Sequence, residues 1–269
     1  MKKNFILTKP VELLHSIEHL SKAFTLAEVL ITLAIIGIVA AMTIPTLITK
    51  YQEKATVTRL TKAYATVSNA YAMARAENGE LSTWGFKGGA DYEKDEETGD
   101  IYYSPEADSN AKLFWDKLSP YLKVTRQINS DWNNKSNLNN KVYSLSGLET
   151  EEGYAQLNLT DGTTLLGGWI ENLKCTDQTS CGDFGIDING LDTPPNTIGK
   201  DIFFFYIYES GLAPIGRLGY GRTFDINFDR KNSTDKYNGY GCAAWVIDNK
   251  NMDYMHCDDL SWDGKHKCD

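Results

Sequence analysis

Glu28 is the only ionisable side chain in residues 24–48, a stretch made mostly of Leu, Ile, Val, Ala and Thr. A carboxylate in hydrocarbon is costly and calls for a partner. Just ahead of it, Lys22 and the small Ala23 precede Phe24. A basic residue followed by a slim one suits a protease that cuts at the cytoplasmic edge of an apolar helix. Gly37 and Pro45 interrupt the same run. Proline removes a backbone donor and crowds the preceding turn, and glycine lowers helix propensity by up to about 1 kcal/mol relative to alanine. The segment between them is therefore a place for bending or local melting, or for a simple kink.

All five cysteines, Cys175, Cys181, Cys242, Cys257 and Cys268, follow the apolar run. In an oxidising compartment the most economical pairing closes a short loop between Cys175 and Cys181. Nearness in sequence favours Cys242 with Cys257 as a second pair, with Cys268 left free or replacing Cys257. The competing chemistry is zinc, because His256-Cys257 and His266-Lys267-Cys268 carry ligands that tetrahedral zinc accepts. Their spacing follows no common zinc pattern, and export favours disulfides.

Oxygen ligands cluster elsewhere. Residues 183–190 read Asp-Phe-Gly-Ile-Asp-Ile-Asn-Gly and continue through Asp192 and Asn196 to Asp201. Carboxylates and amide oxygens around a tight turn suit a hard cation such as calcium, with Asp183, Asp187, Asn189 and Asp201 as the ligands. The full EF-hand spacing is absent. The alternative is that Asp187 and Asn189 make turn hydrogen bonds while Asn189-Gly190 and Pro194-Pro195 redirect the chain. Catalytic motifs are missing: there is no Gly-x-Ser-x-Gly, no His-Glu-x-x-His and no phosphate-binding glycine loop, so the sequence does not read as an enzyme.

The elements that carry these residues begin with the apolar run. As a helix, residues 24–48 reach about 37 Å at ~1.5 Å per residue, enough for a hydrocarbon core of about 30 Å. Four lysines against two glutamates give residues 1–23 a charge of +2, which leaves −11 for the rest of a chain whose total is −9. A basic N-terminus stays in the cytoplasm, so the acidic bulk is expected outside, as a single-pass membrane protein. An acidic domain offers no basic face for phosphate backbones, which excludes nucleic acid as the main partner.

Beyond the run, Val57, Leu60, Tyr64, Val67, Tyr71 and Ala74 recur at spacings of three and four and form one stripe on a stem helix, ending near Asn78-Gly79. The boundaries that follow are a leader over 1–23, a membrane helix over 24–48, a stem over 49–79 and a globular domain over 80–269. Residues 80–108 read as loop, 111–122 as a second helix and 129–140 as an Asn-rich loop. Strand patterns follow at 154–159 and 163–166 around Asp161-Gly162, then at 202–208, 222–228 and 242–247. The fold class is α+β, with the stem helix laid on an antiparallel sheet.

The stretch Lys22-Ala23-Phe24-Thr25-Leu26-Ala27-Glu28 and the long apolar helix behind it resemble the type IV prepilin and pseudopilin signature. The resemblance implies that a prepilin peptidase cleaves between Ala23 and Phe24 and methylates the new Phe24 amine. It also implies that Glu28 meets the Phe24 amine of a neighbouring subunit, and that the segment between Gly37 and Pro45 unwinds in a filament. Many members carry Gly where this chain has Ala23. An ordinary secretory signal cut near Val39-Ala40-Ala41 is the alternative, opposed by the charge within the apolar region and the long segment ahead of it. The implied function is a subunit of a type IV pilus, a type II secretion pseudopilus or a competence filament. The alternative is a minor tip pilin or adhesin-like binding module, with Trp84, Trp115, Trp132, Trp169, Trp245 and Trp262 as stacking surfaces or as core.

Overall fold

The computed structural model describes residues 25–88, 92–94, 101–103, 105–128, 141–150 and 156–269. The chain divides into two compact units, Met1–Ile48 and Thr49–Asp269. Helix α1 runs from Leu26 to Asn78. It is followed by β1 (Tyr92–Lys94), β2 (Ile101–Tyr103), α2 (Pro105–Leu118), β3 (Val124–Ile128), β4 (Val142–Tyr143) and β5 (Glu149–Thr150). Then come β6 (Gln156–Leu159), β7 (Thr164–Ile170), β8 (Gly182–Asp187), β9 (Ile202–Ile207), β10 (Leu212–Pro214) and α3 (Cys242–Asn249). A six-stranded sheet has the order β10-β9-β8-β7-β6-β3 with antiparallel neighbours throughout, and two small hairpins, β1-β2 and β4-β5, stand apart from it.

In the first unit the apolar side chains of α1 lie exposed, Leu30 at 57% and Leu47 at 69%. Among the described residues α1 is the one helix long and apolar enough to cross a membrane. Pro45 lies inside it, and the helix continues without a break through Gly37 and Pro45. The unwinding that the resemblance implies for this segment belongs to a filament, not to the chain by itself. The threonine hydroxyls are satisfied within the helix: Thr32 donates to the Val29 carbonyl at 2.9 Å, Thr43 to Val39 at 2.9 Å and Thr46 to Thr43 at 2.8 Å. Such back-bonding lets a hydroxyl sit where water cannot reach.

In the second unit the stripe behaves as its spacing predicts. Leu60, Val67, Tyr71 and Ala74 are buried, as are Ala63 and Ala70 beside them, while Val57 and Tyr64 pack at the margin. Tyr64 stacks on Phe205 with ring centroids 5.0 Å apart and donates its hydroxyl to the Leu212 carbonyl. Tyr71 donates to the Tyr208 carbonyl at 2.8 Å. The helix stops at Gly79, whose φ of 81° few other residues adopt and whose N–H caps the Arg75 carbonyl.

Strand β9 shows why its sequence is apolar throughout. Phe203, Phe205 and Ile207 join the core that contains the α1 stripe, and Ile202 and Phe204 join a second core with Val142, Leu166, Leu191, Ile198 and Ile215. Alternation of side chains sends every second residue to each face, and both faces are dry. The β6–β7 hairpin forms where Asp161-Gly162 marks it, with Leu159 N–H donating to the Thr163 carbonyl. Residues 154 and 155 lie outside the described residues. At Gly167-Gly168 the β7–β8 register shifts, and Trp115 of α2 donates its indole N–H to the Gly167 carbonyl at 2.7 Å. A Cβ on Gly168 would fall 2.8 Å from that indole nitrogen, so the lack of a side chain there is what admits the tryptophan.

Several expectations are corrected. The second helix spans Pro105–Leu118, with the 3-10 turn Ser119–Tyr121 taking up its expected end. The loop read over 80–108 contains the 3-10 turn Leu81–Thr83 and the strands β1 and β2. The Asn-rich stretch 129–140 lies outside the described residues. Residues 222–228 form no strand: Thr223 makes one bridge to Gly216, and Asn227–Lys231 is a π-helical turn. The turn wraps the buried Asp229 carboxylate, which accepts N–H groups from Asp225 and Gly241 and an Arg222 guanidinium hydrogen at 2.5 Å. Residues 242–247 form α3 instead of a strand, because a short run buried on every side has no periodicity to separate helix from strand.

Leu60→Ala should lower unfolding stability by about 2–5 kcal/mol, as expected for a fully buried leucine. Met73→Ala, at an exposed position of the same helix, should stay within about 0.5 kcal/mol of the parent. Chemical denaturation of the two variants in parallel checks this.

Candidate functional site

Ala23 and Phe24 lie outside the described residues, and the site is first visible at Thr25. The Glu28 side chain accepts two hydrogen bonds through Oε2, from the Thr25 backbone N–H at 2.8 Å and from the Thr25 hydroxyl at 2.8 Å. The Glu28 N–H returns a bond to Thr25 Oγ1 at 3.2 Å, and the Val29 N–H reaches the Thr25 carbonyl at 3.2 Å. This is a capping box, in which Thr25 and Glu28 satisfy each other's orphan groups at the head of α1. A negative side chain in the first turn also complements the positive end of the helix dipole. The lone carboxylate of the apolar run thus has a partner three residues away within its own chain. The Thr-x-x-Glu spacing carries this signal, and a reading of Glu28 by its charge alone passes over it.

The second group of polar residues lies where β8 passes into β9. Asp187 ends β8, opposite Ile202 in the register, and the Ile188 N–H donates to the Asp201 carbonyl at 3.0 Å. Asp187 is fully buried; its Oδ1 accepts the N–H groups of Asn189 at 3.0 Å and Gly190 at 2.8 Å. Asp201 is also buried and accepts the N–H groups of Asn196 at 2.9 Å and Thr197 at 2.5 Å. Burial, with the Asp201 charge nearby, pushes the Asp187 carboxyl up to about 7. Burial raises Asp201 as well, opposed by the amides that bond to it and by the Asn189 side chain. The turn bonds expected of Asp187 are therefore present. Asp183 sits four residues back along the strand, opposite Trp169 and Tyr206, about 13 Å away at strand rise. The structure does not bring it to the other three.

Cys175 and Cys181 are joined, with Cα atoms 4.8 Å apart, across the connection between β7 and β8. Glu209 has a carboxylate oxygen within 4.8 Å of both sulfurs, but the disulfide holds the sulfurs and Glu209 accepts the Leu81 N–H at 2.7 Å. Cys257 is joined to Cys268 with Cα atoms 5.9 Å apart, which corrects the expected Cys242–Cys257 pair. Cys242 opens α3 inside the core, fully buried, and burial pushes its thiol well up. The observed pair is the nearer one, 11 residues apart, and Cys242 is withheld from it because it opens α3 inside the core. The zinc alternative loses its thiolates to the Cys257–Cys268 bond. Its imidazoles are also engaged, His256 with Glu53 at 2.6 Å and His266 with the Trp262 carbonyl at 2.8 Å.

The capped apolar helix and the antiparallel domain behind it define a pilin-like subunit. The prokaryotic N-terminal methylation motif matches residues 19–44, which places the chain with type IV prepilins and pseudopilins. The model described as a family of unknown function (DUF6613) matches residues 46–257, and the chain belongs to that family. No curated protein and no solved structure matches. Motif and fold together point to a membrane-anchored structural subunit, made as a substrate for a processing peptidase, rather than to an enzyme.

Two outcomes follow from these geometries. Thr25→Ala should raise amide exchange at the first turn of α1 by roughly fivefold, the size of a typical N-cap loss, while Thr25→Ser should leave it near the parent. Hydrogen exchange with mass spectrometry reads both. Alkylation of the unfolded, unreduced chain should label Cys242 and no other cysteine, whereas the folded chain should resist labelling, as peptide mass mapping would show.

Proposed function

We propose that the chain is a subunit of a type IV pilus, a type II secretion pseudopilus or a competence filament. The observation that carries this reading is Glu28, a carboxylate held by Thr25 at the head of the apolar helix, inside the matched methylation motif. In this reading the leader over residues 1–23 is removed by a prepilin peptidase and the Phe24 amine is methylated. The helix first anchors the subunit in the cytoplasmic membrane, with the acidic domain outside, as the charge asymmetry supports. It then packs among the helices of other subunits, and the Phe24 ammonium of one meets Glu28 of its neighbour. An ammonium beside a carboxylate in low dielectric offsets much of the desolvation of both. Gly37 and Pro45 give the helix a segment that can unwind on packing, since Pro45 has no N–H for the carbonyl four residues back.

The reading as a tip adhesin draws less support from the aromatic residues than composition suggests. Trp84, Trp115, Trp169 and Trp245 are buried and Trp262 is half-buried, donating its indole N–H to the Gly216 carbonyl at 3.0 Å. Trp132 lies outside the described residues.

Mass spectrometry of the mature protein should find methylated Phe24 as its first residue, and any other N-terminus sinks the proposal. Glu28→Ala should leave processing intact and reduce the chain in sheared filaments at least tenfold. If filaments form normally with Glu28→Ala, the pairing with the Phe24 amine fails while membrane anchoring stands.

A further inference from the structure

We infer that the connection from β8 to β9 binds a calcium ion through Asp187, Asn189, Asn196 and Asp201. The inference concerns the globular domain and does not depend on the filament reading. It begins from oxygen atoms that have no hydrogen to accept. Asp187 Oδ2, Asn189 Oδ1 and Asn196 Oδ1 are all buried and without a hydrogen-bond partner. Asp187 is 0% exposed and Asn196 5% exposed, so bulk water does not reach these side chains. A buried acceptor left unpaired costs stability, and three in one connection point to a ligand.

The charges lead to the same place. Asp187 and Asp201 are both buried, and among the described residues no Lys, Arg or His forms an ion pair with either. Two buried acids at the two ends of one connection, joined through the Ile188 N–H and the Asp201 carbonyl and with no basic partner, leave room for a cation as their counter-charge. Asp201 is the neighbour the other three share. Its carboxylate takes the Asn196 N–H at 2.9 Å and lies against the Asn189 side chain, and its carbonyl takes the N–H of Ile188 beside Asp187 at 3.0 Å. The amide nitrogens already have work that leaves their oxygens free: Asn189 Nδ2 donates to the Thr193 carbonyl and Asn196 Nδ2 to the Leu191 carbonyl, each at 2.8 Å.

The donor set chooses the ion. Two carboxylates and two amide oxygens are hard ligands with a combined charge of −2, and nitrogen and sulfur donors are absent from the set. Calcium accepts six to eight such oxygens in flexible geometry, and magnesium rarely takes an all-protein cage. Asp183, which the sequence alone would include, is displaced along the strand, and Asn196 takes its place.

The test uses the full mature chain in detergent, stripped with EGTA and then dialysed against calcium at about 1 mM, the working range of extracellular calcium modules. Elemental analysis should find one calcium per chain, and the melting temperature should rise by several degrees, more than with magnesium. Asp187→Asn should lose the calcium-dependent shift and Asp183→Asn should keep it. Wild-type protein that binds no calcium and melts at the same temperature with and without it overturns the inference. So does an Asp187→Asn variant that keeps the full shift. If wild type ignores calcium while Asp187→Asn is the more stable chain in EGTA, the acids share a proton, and the inference fails. Should Asp187→Asn not fold, metal content and melting shift of the wild-type chain decide the matter.

Discussion

Strand β9 buries side chains on both of its faces, and the rest of the domain answers to that constraint. Phe203, Phe205 and Ile207 belong to one core, and Ile202 and Phe204 to another. A sheet with two dry faces must be covered twice. On the first face the cover is regular: the stripe of α1, the buried residues of α2, and Cys242, Ala243, Trp245, Val246 and Ile247 of α3 meet there. The helices bury their own backbone hydrogen bonds, so this face needs few polar devices.

The second face is covered differently. Val142 from the short β4, Leu191 and Ile198 from the connection between β8 and β9, and Tyr240 from a turn lie over Leu166, Trp169 and Phe204. Irregular chain brings unpaired backbone groups into a dry place, and each must find a partner. Asp187 and Asp201 provide acceptors for four such N–H groups, and Asn189 and Asn196 donate to two carbonyls. The acids are thus the fasteners of a cover that has no ladder of its own. Their burial is the cost of that arrangement, and Asp187 Oδ2, Asn189 Oδ1 and Asn196 Oδ1 are the acceptors left over once the backbone is satisfied.

How far the sequence disclosed this depends on whether a pattern had a period. The α1 stripe was legible because helices with one wet side alternate at three and four. The β6–β7 hairpin was legible because Asp161-Gly162 fits few other turns. Residues 202–207 and 242–247 look alike in composition, both apolar and both buried on every side, yet one is strand and one is helix. Nothing local distinguishes them; the first finds β8 and β10 beside it and the second packs under Trp262. The Gly167-Gly168 bulge did leave a trace, since paired glycines in a strand often mark a close approach. Asn196 left almost none, because its role depends on the chain returning to Asp201 after two prolines.

Glu28 carries the last step. On the filament reading an isolated carboxylate in a membrane helix is a liability until a partner arrives, and the subunit waits in the bilayer before any neighbour is at hand. The capping box removes that difficulty, because Thr25 offers the carboxylate two donors from within the chain. Those donors are neutral. A hydrogen bond from an ammonium is roughly twice as strong as a neutral one, so a neighbour's Phe24 amine can win the carboxylate from the cap. The box also fixes where the carboxylate sits, folded back over the first turn onto Thr25. On the filament reading, Thr25 both protects the lone charge during storage and presents it for exchange, which gives the hydroxyl next to the processing site a physical reason to be there.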